Sequence, residues 1–368
     1  MNDTDLPYSI YSASLSVVSV VDLVLQAYII FICLRVSTGS MKEYRYFILL
    51  STVLDLCLSS CLGFFMHLHI TVGTSCLVHK GLITFGREGA SIVFSLAFFI
   101  GAAIIAAQDY CILYRMTLVS NNRKIKDVFL RHSTTIMLLL LIFVVAMGVA
   151  YGISQTLYSS EDTEIIVRDL VDRGHLHESD SISVSCINML SKTTVIVGAM
   201  IGILFVSTQA FFLGCGVWII KKIRRQAVFS AKTKNMHIQL TKLLIVQMVT
   251  PVIFVLVPVV FTQSITVVFS LFNTPYFILY LAMFSISLFP LTNAILTLGF
   301  VAPYRKYTVK LIRRLLMRNT QVSTNTKATN TSEWGASDVI RRNEMSVFFI
   351  RTRSASPSLM RRRNDFQF

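Results

Sequence analysis

The sequence predicts an all-α membrane protein: a seven-transmembrane helix bundle with its N-terminus outside the cell. Three observations carry this. Apolar residues make up 54% of the 368 and charged residues only 14%, the balance of a polytopic membrane protein. Seven apolar runs lie near residues 11–34, 47–70, 82–114, 134–158, 193–220, 238–263 and 275–301. Each is at least as long as the roughly 20 residues that cross a hydrocarbon core of about 30 Å. Finally, 29 of the 34 Lys and Arg fall on one side of the resulting topology. The segments after runs one, three, five and seven hold 3, 5, 7 and 14 of them, counting Lys242 just inside the sixth run. The positive-inside rule then makes the C-terminus cytoplasmic. The runs are continuous rather than alternating, and open strands would leave backbone groups unpaired in lipid, so the spans are helices.

The formal charge of +15 sits beside these spans, where attraction to an anionic inner leaflet accounts for it. Membrane lipids are therefore an expected partner and nucleic acid is not. Residues 1–10 read as an extracellular N-terminus. Met1–Ser9 carries Asp3 and Asp5 and no basic residue, so no cleavable leader is expected and the first run serves as the insertion signal. Asn2-Asp3-Thr4 is a glycosylation sequon on the outer side. Asn330-Thr331-Ser332 is another, but on the cytoplasmic side, where it stays bare.

Gly, Ala and Ser gather in the third and fifth runs (Gly89-Ala90-Ser91, Gly101-Ala102-Ala103, Gly198-Ala199), which lets helices approach closely. Cys33, Cys57, Cys61, Cys111 and Cys215 lie in or at the ends of runs and read as small packing residues. Cys76 and Cys186 fall in outer loops, an oxidising compartment, and are expected to form a disulfide. Cys76 lies well before the third run, so this bond ties loop to loop. The second outer loop, 159–192, is long and acidic, with His175 and His177 among its carboxylates. It reads as a solvated polar loop, and no metal or other cofactor is assigned.

Pro251 and Pro258 interrupt the sixth run and Pro290 the seventh. Each removes a ladder bond and should kink its helix, giving it a place to pivot. Residues 303–318 read as an amphipathic surface helix, with Tyr304, Tyr307, Leu311 and Leu315 on one stripe and Lys306, Lys310 and Arg313 opposite. Such a helix lies along the inner membrane face. Residues 319–368 are Ser/Thr/Asn-rich and basic, a disordered cytoplasmic tail. Ser354 and Ser356 there sit in a basophilic kinase pattern.

Ionisable groups inside spans are costly and point to function. Asp22 lies in the first run, Asp55 in the second, Arg87 and Glu88 at the outer end of the third, and Asp109 and Arg115 toward its inner end. Asp55 should face the bundle with Asn293 as its partner; the alternatives are an activation network or a purely structural bond. Asp109-Tyr110 followed by Arg115 is not the contiguous acid-Arg-aromatic triplet of rhodopsin-type receptors. No His-Glu-x-x-His, Gly-x-Ser-x-Gly or Walker loop occurs, so an enzyme is not expected.

Three blocks resemble nematode serpentine chemoreceptors of the Str superfamily. They are Tyr44-Arg45-Tyr46-Phe47 running through Asp55, Gln239-Leu240-Thr241-Lys242 through Gln247 with Pro251 and Pro258, and Pro290-Leu291-Thr292-Asn293 through Pro303-Tyr304-Arg305. The resemblance covers about residues 10–318 and leaves out the second outer loop and the tail. It implies a G-protein-coupled receptor that takes a small-molecule ligand among the outer halves of its helices and acts on a heterotrimeric G protein, at the plasma membrane of sensory cilia. Under that reading Arg87, Glu88, Phe94, Gln155, Gln263 and Tyr280 are ligand-binding candidates. Asp55, Asn293, Pro251, Pro258 and Pro290 form the activation network. Asp109, Arg115, Lys221, Lys222, Arg224 and Arg225 face the G protein.

Two rivals remain on the residues alone. A ligand-gated cation channel of the insect chemoreceptor type has its N-terminus in the cytoplasm, and a transporter favours inverted repeats, which are absent here. Epitope tags at each terminus separate the first pair. Staining of unpermeabilised cells should reveal the N-terminal tag alone, and an exposed C-terminal tag would exclude the receptor topology.

Overall fold

The computed structural model describes residues 5–35, 42–66, 68–70, 76–79, 86–119, 132–172, 184–187, 191–225, 231–262 and 276–327. Among these, seven helices are long and apolar enough to cross a membrane. They are α1 (Asp5–Arg35), α2 (Lys42–Ser60), α3 (Arg87–Val119), α4 (His132–Ser154), α6 (Lys192–Arg225), α7 (Ala231–Pro251) and α8 (Tyr276–Phe300). A short outer helix, α5 (Ser160–Asp172), and an inner helix, α9 (Ala302–Lys327), complete the helical set. Residues 1–312 form one compact unit and 313–368 a second. Of the second, only the helical stretch 313–327 is described.

In the first unit α3 is central. It packs on α2, α4, α6 and α7, while α1 closes the bundle by packing on α2 and α8. One contact on the α1 side is especially tight: a Cβ added to Gly63 would overlap the side chain of Ser19. Likewise a Cβ on Gly216 of α6 would come within 2.7 Å of Ile245 on α7. The contrast is with α4 and α6, whose Leu140, Phe143, Val144, Val195, Ile203 and Phe211 point outward. In hydrocarbon such a face needs no protein partner, since lipid tails are as apolar as the side chains.

Two spans depart from α geometry. α2 runs into a π-turn at Cys61–Phe65. α7 ends at Pro251, passes through a π-turn at Val252–Leu256 and is helical again to Thr262. The two irregular turns meet: Cys61 is buried with Leu58, Ile100, Ile104 and Phe289, and Phe254 and Val255 pack against the same cluster.

Three differences from the sequence-based boundaries have simple causes. The second run was drawn to 70, but helix stops at Phe65 and Leu68–Ile70 is a strand, β1. Leu, His and Ile alternate there, and a short apolar stretch does not distinguish strand from helix. The second outer loop is not simply solvated polar chain. It carries α5 and a strand, β3 (Val184–Cys186), which pairs antiparallel with β2 (Cys76–His79), itself paired with β1. Lastly, helix continues to Lys327 beyond the expected end at 318, since no Gly or Pro interrupts 319–327.

The sheet forms a roof over the outer end of α3. Strand alternation gives it two faces. Cys76, Val78, Val184 and Cys186 pack with Val167 of α5 on one. Leu77 packs with Met66, Val93, Phe94 and Ala97 on the other, toward the bundle. Both faces are covered, so all four residues of β2 are buried. α5 begins with a reciprocal cap: Asp162 N donates to Ser159 Oγ at 3.1 Å and Ser159 Oγ donates back to the Asp162 carboxylate at 2.7 Å. Cys76 and Cys186 stand opposite each other in the β2–β3 register and are disulfide-bonded. Closing a loop with a separation of 110 residues is worth on the order of 4–5 kcal/mol in the chain-entropy account.

The Gly63–Ser19 contact predicts that Gly63→Ala destabilises the protein by about 1–3 kcal/mol. Detergent-solubilised melting curves would read this. Adding Ser19→Gly should recover part of the loss, whereas a wild-type melting point for Gly63→Ala would refute the packing argument.

Candidate functional site

A connected set of buried polar side chains runs through the bundle at mid-depth. Asn293 of α8 is its junction. Its Nδ2 donates to both carboxylate oxygens of Asp55 on α2, at 3.3 and 3.4 Å. Its Oδ1 accepts from Thr250 Oγ1 of α7 at 3.0 Å. One turn away Gln247 Nε2 donates to Thr297 Oγ1 at 3.1 Å, a second rung between α7 and α8. In α1 the Gln26 amide donates to Asp22 at 3.2 Å and to the Pro290 carbonyl, also at 3.2 Å. Thus α1, α2, α7 and α8 are tied by side chains that hydrocarbon would otherwise leave unsatisfied.

These residues surround a cavity of about 20 Å³ lined by Gln26, Asp55, Gln108, Gln247, Asn293 and Thr297. That volume holds about one water molecule. Gln108 contributes from α3, and neither atom of its amide has a protein partner. The polar network therefore has one open position on its α3 side.

Toward the cytoplasm, Arg115 of α3 is buried and turned into the bundle. Its guanidinium donates to Thr241 Oγ1 of α7 at 2.9 Å and to the His237 carbonyl at 3.3 Å. Phe47 of α2 packs beside it against Tyr110 and Tyr114, with centroids 5.4 and 5.1 Å away. Asp109 Oδ1 is buried without a hydrogen-bond partner. Lys221, Arg224 and Arg225 are exposed at the end of α6, and the Lys222 ammonium sits 4.6 Å from the Trp218 ring centroid. Lys234 reaches from α7 to the Arg224 carbonyl at 2.6 Å, capping α6.

At the outer end, His79 lies under the roof. Its Nε2 is 3.2 Å from Ser185 Oγ, which in turn is 3.4 Å from Ser91 Oγ on α3. Phe94 meets the imidazole edge-on at 6.4 Å. Burial alone pushes the imidazole down from 6.5 to about 4. A second outer cluster stacks Tyr280 of α8 on Tyr11 of α1, centroids 4.7 Å apart. Met283 packs against both outer clusters and links them.

The structure thus brings Phe94 and Tyr280 into adjoining buried clusters. Glu88 and Gln155 are exposed. Arg87 begins α3 with its side chain outside the description, and Gln263, Asn2, Ser354, Ser356, His175 and His177 lie outside the described residues. Pro251 ends α7 directly before the π-turn. Pro258 lies in the outer helical segment, where its carbonyl accepts from Thr262 at 2.8 Å. Pro290 acts through its carbonyl toward Gln26. Of the stripe expected to lie on the membrane, Tyr304 is buried in the protein with Ile29, Ile32 and Val301, and Tyr307 is partly buried against the same cluster. Gln26, Gln108, Thr241, Gln247, Thr250, Thr297, His79 and Ser185 had no role from sequence. The available signal was spacing: Asp22 and Gln26, and Asn293 and Thr297, are each four apart and share a helix face.

Seven spans, a disulfide-tied outer roof and a buried polar junction between α2, α7 and α8 define a seven-helix membrane bundle. The family model for the serpentine type 7TM GPCR chemoreceptor Srh matches residues 8–314, and the chain belongs to that nematode family. No curated protein matches it.

Replacing Asn293 with Leu strands the Asp55 carboxylate and the Thr250 hydroxyl. The expected loss is about 1–3 kcal/mol of stability, seen as a lower melting temperature in lipid nanodiscs. An unchanged melting temperature would mean that water replaces the amide without penalty.

Proposed function

We propose that this chemoreceptor binds a small environmental molecule among the outer halves of its helices and activates a heterotrimeric G protein. The observation that carries the reading is the pair of Arg115 hydrogen bonds to α7. They tie the inner ends of the third and sixth spans by two contacts, just below a helix weakened at Pro251 and the following π-turn. A helix held at one end and irregular in the middle is a two-position element. Ligand binding shifts such an equilibrium only by its preference for one arrangement. Going from 1:99 to 99:1 takes about 5.5 kcal/mol, within reach of a few buried contacts.

In the proposed active arrangement α7 swings away, freeing Arg115 for the partner while Lys221, Lys222, Arg224 and Arg225 meet its acidic surface or the anionic leaflet. Phe94 and Tyr280 belong to the ligand end, where Met283 couples their two clusters. Asp55, Asn293, Thr250, Gln247 and Thr297 carry the change between the ends, because each spans two helices. As a nematode chemoreceptor it is proposed to work in the plasma membrane of sensory cilia.

Two variants test the coupling step in cells that also express a promiscuous G protein. Thr241→Val removes an acceptor of Arg115 and should raise ligand-independent signalling severalfold. Arg115→Ala should abolish signalling at normal surface expression. Basal signalling unchanged in the first, together with full signalling in the second, would reject the proposed role.

A further inference from the structure

We infer that the outer roof is an acid-released latch, seated on α3 while His79 is neutral and lifted when extracellular acid protonates it. The inference goes beyond ligand recognition and G-protein coupling and depends on neither.

Register and burial set the geometry. Leu77, His79 and Ser185 share the bundle-facing side of the sheet, and His79 is 2% exposed. In its neutral form the imidazole has one donor and one acceptor nitrogen. Nε2 meets the Ser185 hydroxyl, which leads on to Ser91 of α3. Nδ1 is buried without any partner. That is tolerable for a bare ring nitrogen and much less so for an N–H carrying part of a positive charge.

No described counter-charge offsets the proton. On α3 the carboxylate of Glu88 is exposed. Glu161, Asp162, Glu164, Arg168, Asp169 and Asp172 belong to α5, whose Val167 packs on the opposite face of the sheet. β1 contributes one titratable residue, His69, paired across from Val78 and not from His79. Neither α4 nor α8 carries an acidic residue. Desolvation is accordingly the one cause acting on the ring.

The sign follows from linkage. A seated roof holds the imidazole near 4, a lifted roof lets it return toward 6.5. The lifted form therefore binds the proton more tightly. Stability of the seated roof is complete above about 6.5, declines as pH falls through that window, and is fully lost for this group below about 4. Because Cys76 and Cys186 are bonded, β2 and β3 cannot part. They lift together, and the seam that opens is the one between Ser185 and Ser91. Phe94 and Val93 lie directly beneath it, so acid would expose the apolar end of the bundle.

Hydroxyl-radical footprinting of the full chain in lipid nanodiscs tests this without a ligand. Side-chain oxidation of Met66, Val93 and Phe94, which lie under the roof, is compared at pH 7.5 and 5.0 and normalised to radical dose. In wild type it should rise severalfold at pH 5.0. His79→Phe, which keeps an aromatic ring against Phe94, and His79→Gln, which keeps a hydrogen-bonding group for Ser185, should show no rise. Equal wild-type oxidation at both pH values would overturn the latch, as would the same acid rise in whichever variant folds at pH 7.5.

Discussion

Asp55 and Asn293 meet where water cannot help either of them, and the rest of the bundle is arranged around that fact. A carboxylate at this depth is expensive unless it has donors, and the amide of Asn293 supplies them from the facing helix. Its carbonyl end then needs a donor of its own, which Thr250 provides from α7. Three helices are thereby fixed in rotation as well as position, since each must present a particular side chain inward. Gln247 and Thr297 repeat the arrangement one turn nearer the cytoplasm, and Gln26 brings in α1. The apolar contacts give the bundle its bulk. The polar junction sets which faces point inward, because lipid competes with apolar contacts but has nothing to offer an amide.

The spanning architecture was legible because the bilayer imposes a length and a charge asymmetry that a single sequence displays directly. The pairing of Asp55 with Asn293 was legible for a related reason: an acid amid leucines has few possible partners. Thr250, Gln247 and Thr297 escaped notice because Thr and Gln are unremarkable in a membrane helix, and only facing partners give them a role. The roof was hidden for a different reason. Its strands are three or four residues long, two of them flank a gap between spans, and the third lies far along the chain in an acidic loop. Pairing over such a separation leaves no local periodicity. The cysteines alone hinted at it, and they told which segments meet without telling that they meet as strands.

The inner end shows how one residue of an amphipathic stripe can take a protein neighbour. The stripe of Tyr304 and Tyr307 is real, yet Tyr304 is buried against α1 and the end of α8, and Tyr28 of α1 hydrogen-bonds Thr308 at 3.1 Å. An amphipathic helix next to a membrane protein has two apolar surfaces to choose from. Aromatic rings with a polar tip suit a protein seam, where the hydroxyl can find a partner. Arg115 illustrates the same point: it lies near the cytoplasmic exit as its position suggested, but is turned toward α7 rather than outward.

The π-turn in the sixth span interrupts the helix without breaking its inward face. Such a turn accommodates one more residue than the helix around it. Above Val252–Leu256, half-buried Pro258 and buried Thr262 nonetheless continue the stripe of Leu244, Met248 and Pro251 below it, while Val257, Val259, Val260 and Phe261 are exposed. Phe254 and Val255 bridge the two halves within the turn itself. The span therefore presents one continuous side to its neighbours across a stretch of irregular backbone: a displacement entering at the outer end arrives at the inner end on the same side.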